Sequence, residues 1–229
     1  EAGYCSRRQA DKLIESKRVK INGHIPEMGT KVNPSDEVKV DNKVVVRNQK
    51  EKVYIAFNKP KGIVCTTDTK REKNNIIDYI DFPTRIFPIG RLDKPSEGLI
   101  FLTSDGDIVN KILRASNHHE KEYIVTVNKA ISIDFIKKMG GGIPILDTVT
   151  KACFVEKIAP RKFRIVLTQG LNRQIRRMCE YLGYDVKELK RVRIMNIKLD
   201  TEPGKWRFFT KKELSRINLL LKNSHKTTR

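Results

Sequence analysis

The sequence predicts an α+β protein in two unequal parts: a small mixed unit, then a larger domain with a mainly antiparallel sheet flanked by helices. Three observations predict it. Short alternating strands recur with few helices between them, which favours antiparallel pairing over a series of βαβ units. The helices that do occur carry start and stop residues and a single apolar stripe. From Arg47 to Lys52 the chain turns polar and charged and loses all periodicity, which marks a connection between parts. The expected division is 1–48 for the small unit, 49–52 for the linker, 53–223 for the larger domain and 224–229 for a polar tail.

In the small unit, Ser6 caps a helix from Arg7 to about Ser16, with Ala10, Leu13 and Ile14 as its apolar stripe. Arg7, Arg8, Lys12, Lys17 and Lys20 cover the remaining surface with positive charge. A strand at Val19–Ile21 ends in an Asn22-Gly23 turn, and a second at 37–40 is closed by Asp41-Asn42.

The larger domain opens with a strand at 53–57 and a loop at 58–62 that Pro60 and Gly62 impose. A buried strand follows at 98–103, then a helix at 105–114 with Ile108 paired to Ile112 and Val109 to Leu113. Further strands are expected at 122–127, 162–167, 190–199 and 205–209, and a helix at 132–139 stopped by three glycines. The helix at 172–182 has Gly183 just past its end, and Thr210 with Glu213 forms a capping box for a last helix at 211–222.

Composition narrows the function. Lys and Arg number 47 against 27 Asp and Glu, a net charge of +20, which calls for a polyanionic partner; nucleic acid comes first. A membrane surface would require a basic amphipathic helix with aromatic anchors, and neither that nor a spanning apolar run is present. Four scattered cysteines without CxxC spacing speak against a zinc site or a disulfide framework and suit a reducing, cytoplasmic setting. His118-His119-Glu120 and Asp105-x-Asp107 lack a third ligand at usable spacing, so no metal is expected.

Three segments carry candidate chemistry. In Gly90-Arg91-Leu92-Asp93-Lys94 a carboxylate stands between cations just before an apolar strand, which favours the ionised form of Asp93, a nucleophile or base. By spacing alone the pattern describes a salt-bridged surface turn at least as well. On the 172–182 helix, Ile175, Met178, Cys179 and Leu182 face the core, while Arg173 and Arg177 lie opposite them. Arg176 sits at the border of the stripe, where a guanidinium enters a cleft while its stem packs on the core. In Lys121-Glu122-Tyr123, the Tyr123 ring is either core or a stacking platform for an extruded base. Lys59, in the 58–62 loop, is a candidate for a phosphate path.

Together these residues resemble a known family. Cys5-Ser6-Arg7-Arg8 with Ala10-Asp11, then Val19-Lys20-Ile21-Asn22-Gly23 and Asp36-x-Val38-x-Val40, is similar to an S4 RNA-binding domain whose usual first helix is mostly absent. Gly90-Arg91-Leu92-Asp93, Lys121-Glu122-Tyr123 and Gln169 to Met178 are similar, in order and spacing, to the motifs of RNA pseudouridine synthases of the RsuA branch. The resemblance implies an isomerase that acts on a uridine inside RNA, with base flipping and without a cofactor, since no group is added or lost. It implies catalytic roles for Asp93, Tyr123 and Arg176, and RNA contacts by Arg91, Lys59, Arg173, Arg177 and the basic residues of the small unit. It further implies ribosomal RNA, 23S, as substrate, with a tRNA as a second candidate, and a monomer. The rival expectation is a non-catalytic ribosome-assembly factor that binds the same RNA.

Overall fold

The structure is a computed structural model that describes residues 4–46, 51–113 and 118–222. The expected tail at 224–229, residues 49 and 50 of the expected linker, and the expected helix end at residue 114 lie outside the described residues. The chain divides into two compact units, Glu1–Glu51 and Lys52–Arg229.

In the first unit, α1 (Arg7–Glu15) starts on a capping box: the Ser6 hydroxyl accepts from the Gln9 N–H, and the Gln9 side chain accepts from the Ser6 N–H. Three antiparallel strands follow, β1 (Val19–Ile21), β2 (Val38–Val40) and β3 (Lys43–Val44), in the order β1-β2-β3. Val19 and Val40 are cross-strand partners and both are buried. Consecutive left-handed residues, Asn22 with Gly23 and Asp41 with Asn42, make the two tight turns, which is why those residue types occur there. Arg7, Arg8, Lys12 and Lys17 are exposed, and Lys20 donates to the Asn42 side chain.

The second unit is built on one nine-stranded sheet. Its elements in chain order are β4 (Tyr54–Lys59), α2 (Ile76–Ile80), β5 (Phe87–Ile89), β6 (Glu97–Thr103), α3 (Gly106–Leu113), β7 (Lys121–Val127) and α4 (Ile133–Gly141). A small hairpin, β8 (Pro144–Ile145) with β9 (Thr148–Val149), stands apart from the sheet. Then come β10 (Phe154–Ala159), β11 (Lys162–Leu167), α5 (Gln174–Tyr181), β12 (Val186–Ile194), β13 (Ile197–Lys198), β14 (Trp206–Phe208) and α6 (Lys211–Leu220). The main path runs β10-β11-β7-β12-β6-β4-β14 and is antiparallel except where β12 meets β6.

Both faces of the central strands are apolar, because both are covered. Ile55, Phe57, Ile100 and Leu102 point to one side, with Ile76, Phe135 and Met178 from α2, α4 and α5. Ala56, Leu99 and Phe101 point to the other, with Ile112 of α3 and Ile217 of α6.

Several boundaries differ from the sequence reading. Asn58 and Lys59 continue β4 instead of opening a loop, since both pair with β6. The strand expected at 190–199 is two strands folded on each other, because Met195 takes a left-handed φ of 52° and Ile194 pairs with Ile197. The helix expected from Asn172 starts at Gln174, with Arg173 left-handed at its N-cap. The segments α2, β5 and β10 were not among the expected elements.

One detail of the sheet positions everything that follows. Along one edge β6 pairs with β4 from Gly98 to Thr103, so β12 and β5 must share the other. β12 takes Glu97 and Gly98, and β5 takes Phe101 to Thr103. The sheet therefore splits between them. At the split, Gly98 lies so close to β12 that a Cβ would fall 2.3 Å from the Arg191 carbonyl oxygen, which only glycine tolerates.

Candidate active site

A cavity of about 460 Å³ opens at this split. Its walls are the segment 89–93, the end of α3, Lys121 and Tyr123 of β7, residues 167 and 169–176, and Leu189, Arg191 and Ile194 of β12. The sequence candidates Asp93, Tyr123, Arg176, Arg91 and Arg173 all line it.

Asp93 sits on the loop between β5 and β6, and that loop is tied down on several sides. The buried Leu92 anchors it, with its N–H donating to the Cys65 thiol at 3.4 Å. The Ser96 N–H closes a turn onto the Asp93 carbonyl, and the Gly62 N–H donates to the Lys94 carbonyl. From α5, Arg176 donates Nη2 to the buried Ser96 hydroxyl at 3.1 Å, and Nη1 to the Val186 carbonyl at 3.4 Å. That leaves Arg176 Nε facing Asp93 Oδ2 at 3.9 Å, an ion pair without a direct hydrogen bond. The Asp93 side chain is 35% exposed and Arg176 only 13%. The carboxylate thus faces the cavity while the guanidinium behind it is held in place. Burial pulls the Arg176 pKa below its ordinary value and nearby Arg173 adds to this, with Asp93 opposing both.

Tyr123 lies at the centre of β7, nearly buried, with Ile165 and Arg191 as its cross-strand partners. Its ring is both a wall of the cavity and part of the core, so the two readings of this residue are compatible.

The other arginines of the group separate. Arg173 is exposed at the cavity, and Gln174 rather than Arg173 caps the turn by accepting from the Leu171 N–H. Arg177 turns back onto the chain, donating to the Asn172 carbonyl and side chain, and is not a wall of the cavity. Lys59 is a correction. It is fully buried, with Nζ donating to the Pro60 and Ile63 carbonyls at 2.8 Å each, so it ties the end of β4 and presents no charge to a phosphate.

Two site residues escaped the sequence reading. Arg191 is 3% exposed; its Nε donates to the Leu99 carbonyl at 2.6 Å and its Nη1 to the Arg91 carbonyl at 3.5 Å. Its guanidinium fills the gap where β12 and β5 part, satisfying a β6 carbonyl that has no strand partner there, and its Cζ lies 5.9 Å from the Tyr123 ring centroid. Lys121 is 8% exposed, and burial, with Arg191 adding to it, pushes its pKa down to about 8. Period-2 alternation placed Lys121 on the Tyr123 face; nothing in the sequence placed Arg191 opposite, because a register shift between Arg191 and Arg193 resets the alternation. Among the described residues no group of three His, Cys, Asp or Glu gathers as a metal site, and no helix is long and apolar enough to cross a membrane.

A half-buried carboxylate–guanidinium pair and an aromatic wall thus share one cavity on a largely antiparallel sheet. The profile of the RNA pseudouridylate synthase family matches residues 53–181 and that of the S4 domain residues 1–44. The chain belongs to the RNA pseudouridylate synthase family, in its branch with an N-terminal S4 domain, and isomerises uridine within RNA. It is 55% identical over 226 residues to the dual-specificity RNA pseudouridine synthase RluF of Escherichia coli strain K12, covering 98% of this chain and 78% of that one. It is 32% identical over 228 residues to ribosomal large subunit pseudouridine synthase B of Bacillus subtilis strain 168, covering 96% and 93% respectively. A crystal structure of a pseudouridylate synthase superposes with a TM-score of 0.70 at 29% identity, over 94% of this chain and 95% of the other.

Proposed function

We propose that Asp93 initiates the isomerisation, with Arg176 paired to it and Tyr123 packing against the uracil. The observation that carries this is the Asp93–Arg176 pair at 3.9 Å beside Tyr123 in one cavity. The uridine leaves its stack to enter that cavity, the C1′–N1 bond breaks, the uracil turns, and C5 bonds to C1′. The Asp93 carboxylate serves either as nucleophile at C1′ or as base at the ribose; on both routes Arg176, 3.9 Å away, holds it in position. Arg91 and Arg173, exposed at the cavity, contact the flanking phosphates, and Arg177 does so from outside it. Arg7, Arg8, Lys12, Lys17 and Lys20 hold RNA on the first unit, in keeping with the large positive charge.

For the substrate we take the ribosomal large-subunit RNA, in line with one relative's name, and keep a tRNA as the second candidate class, another relative being named dual-specificity without its substrates. The enzyme acts as a cytoplasmic monomer without cofactor. The test is Asp93→Asn, which keeps shape and removes charge. Pseudouridine formation on large-subunit ribosomal RNA drops by about 10³-fold or more while RNA affinity stays within a few-fold. Activity retained in that variant would refute the assignment.

A further inference from the structure

Lys121 and Arg191 form a pair of buried cations for which the scheme above has no use. They share one face of the sheet: Arg191 is the cross-strand partner of Tyr123, and Lys121 is two residues from Tyr123 on the same strand. Both line the cavity, at 8% and 3% exposure. Among the described residues neither forms an ion pair with a carboxylate. Arg191 Nη2 is buried without a hydrogen-bond partner although its other two nitrogens have theirs. Two buried cations without a carboxylate partner favour an anion beside them, and an orphaned donor favours an acceptor. The resident carboxylate of the cavity, Asp93, is already matched with Arg176.

The reaction supplies the missing charge, if the site is the one proposed above, on which this inference rests. When C1′–N1 breaks, its electron pair departs with N1 and spreads over the O2 and O4 carbonyls, so the detached uracil carries one negative charge. On the nucleophilic route Asp93 loses its charge in bonding to C1′; on the other it loses it by taking a ribose proton. In both, one negative charge passes from the carboxylate to the uracil. It returns when C5 bonds to C1′, the C5 proton is lost, N1 gains a proton and the carboxylate is restored.

The geometry points to Lys121 and Arg191 as catalytic residues that hold this charge, with Arg191 Nη2 donating to a uracil carbonyl oxygen and the Lys121 ammonium standing beside it. Their interaction is weak with neutral uracil and strong with the anion, which is the differential that accelerates a step.

The experiment compares single-turnover rates for wild type, Arg191→Lys and Lys121→Met on large-subunit ribosomal RNA transcripts carrying uridine, read as pseudouridine, or 5-fluorouridine, read as loss of the N1–C1′ bond to a C5-linked product that keeps its fluorine because C5 has no proton to lose. RNA affinity and thermal unfolding are measured in parallel. With uridine each variant loses roughly 10²-fold in rate at nearly unchanged affinity. With 5-fluorouridine, whose base is the more stable anion, that loss shrinks by about tenfold. A loss of affinity without a loss of rate, an unchanged rate, or an equal loss on both bases overturns the inference. Lys121→Met decides alone should Arg191→Lys unfold. A wild-type enzyme that forms no pseudouridine overturns the reaction itself, an outcome separate from any behaviour of the variants.

Discussion

At the scale of single residues, the second unit gives up stability to keep charge in its interior. The Lys121 pKa falls to about 8 because burial penalises the ammonium, with Arg191 adding to the penalty. In the unfolded chain the same group titrates near 10.5, so between about pH 8 and 10.5 the unfolded state binds more protons and stability rises with pH. Below that window the penalty is present in full, about 3 kcal/mol at 1.36 kcal/mol per unit. Lys121→Met therefore raises the unfolding free energy at pH 7 by about 1–3 kcal/mol in chemical denaturation, and the gain fades above pH 10. A variant no more stable at pH 7 would show that the ammonium is well solvated. Local chemistry made Asp93, Tyr123 and Arg176 candidates (a carboxylate among cations, a ring on a strand, an arginine at the border of an apolar stripe), but only the resemblance to a family joined them into one site. Lys59 misled for the same reason. A lysine beside Pro60 and Gly62 reads as a loop cation, whereas two backbone carbonyls, invisible in sequence, take its protons.

At the scale of elements, the capped helices and alternating strands were legible, since each is specified by its own residues. Ser6 with Gln9 and Thr210 with Glu213 form complete capping boxes, and β11 buries Phe163, Ile165 and Leu167. What stayed hidden depends on partners distant in sequence. β10 exposes Phe154 and Ile158 and carries no clean alternation, so only its pairing with β11 makes it a strand. The Met195-Asn196 turn has no glycine, and only the pairing of β13 on β12 reveals it. The contact of β6 with β12 is the most demanding of these. Gly98→Ala would drive a methyl group into the Arg191 backbone, so the expected loss is about 3 kcal/mol or more in unfolding free energy, together with the activity. Gly141→Ala, in open space at the end of α4, serves as the control and stays within about 1 kcal/mol.

At the scale of the molecule, the net charge of +20 makes RNA affinity steeply dependent on ionic strength. Replacing Arg7, Arg8, Lys12 and Lys17 with Gln flattens the plot of log affinity against log salt by about 0.7 for each phosphate no longer neutralised, and leaves conversion at saturating RNA unchanged. A slope that does not move would show that these four side chains do not touch the backbone. The gap between β5 and β12 bears on selectivity as well. On the proposed site the nucleoside would sit in a gap cut into the main sheet and bridged by Arg191, a seat with the same fit for every uridine. Discrimination then falls to contacts outside the cavity and to the RNA itself: the more readily a given nucleotide everts from its surroundings, the faster it is converted, and a mismatch placed opposite the target should speed its conversion.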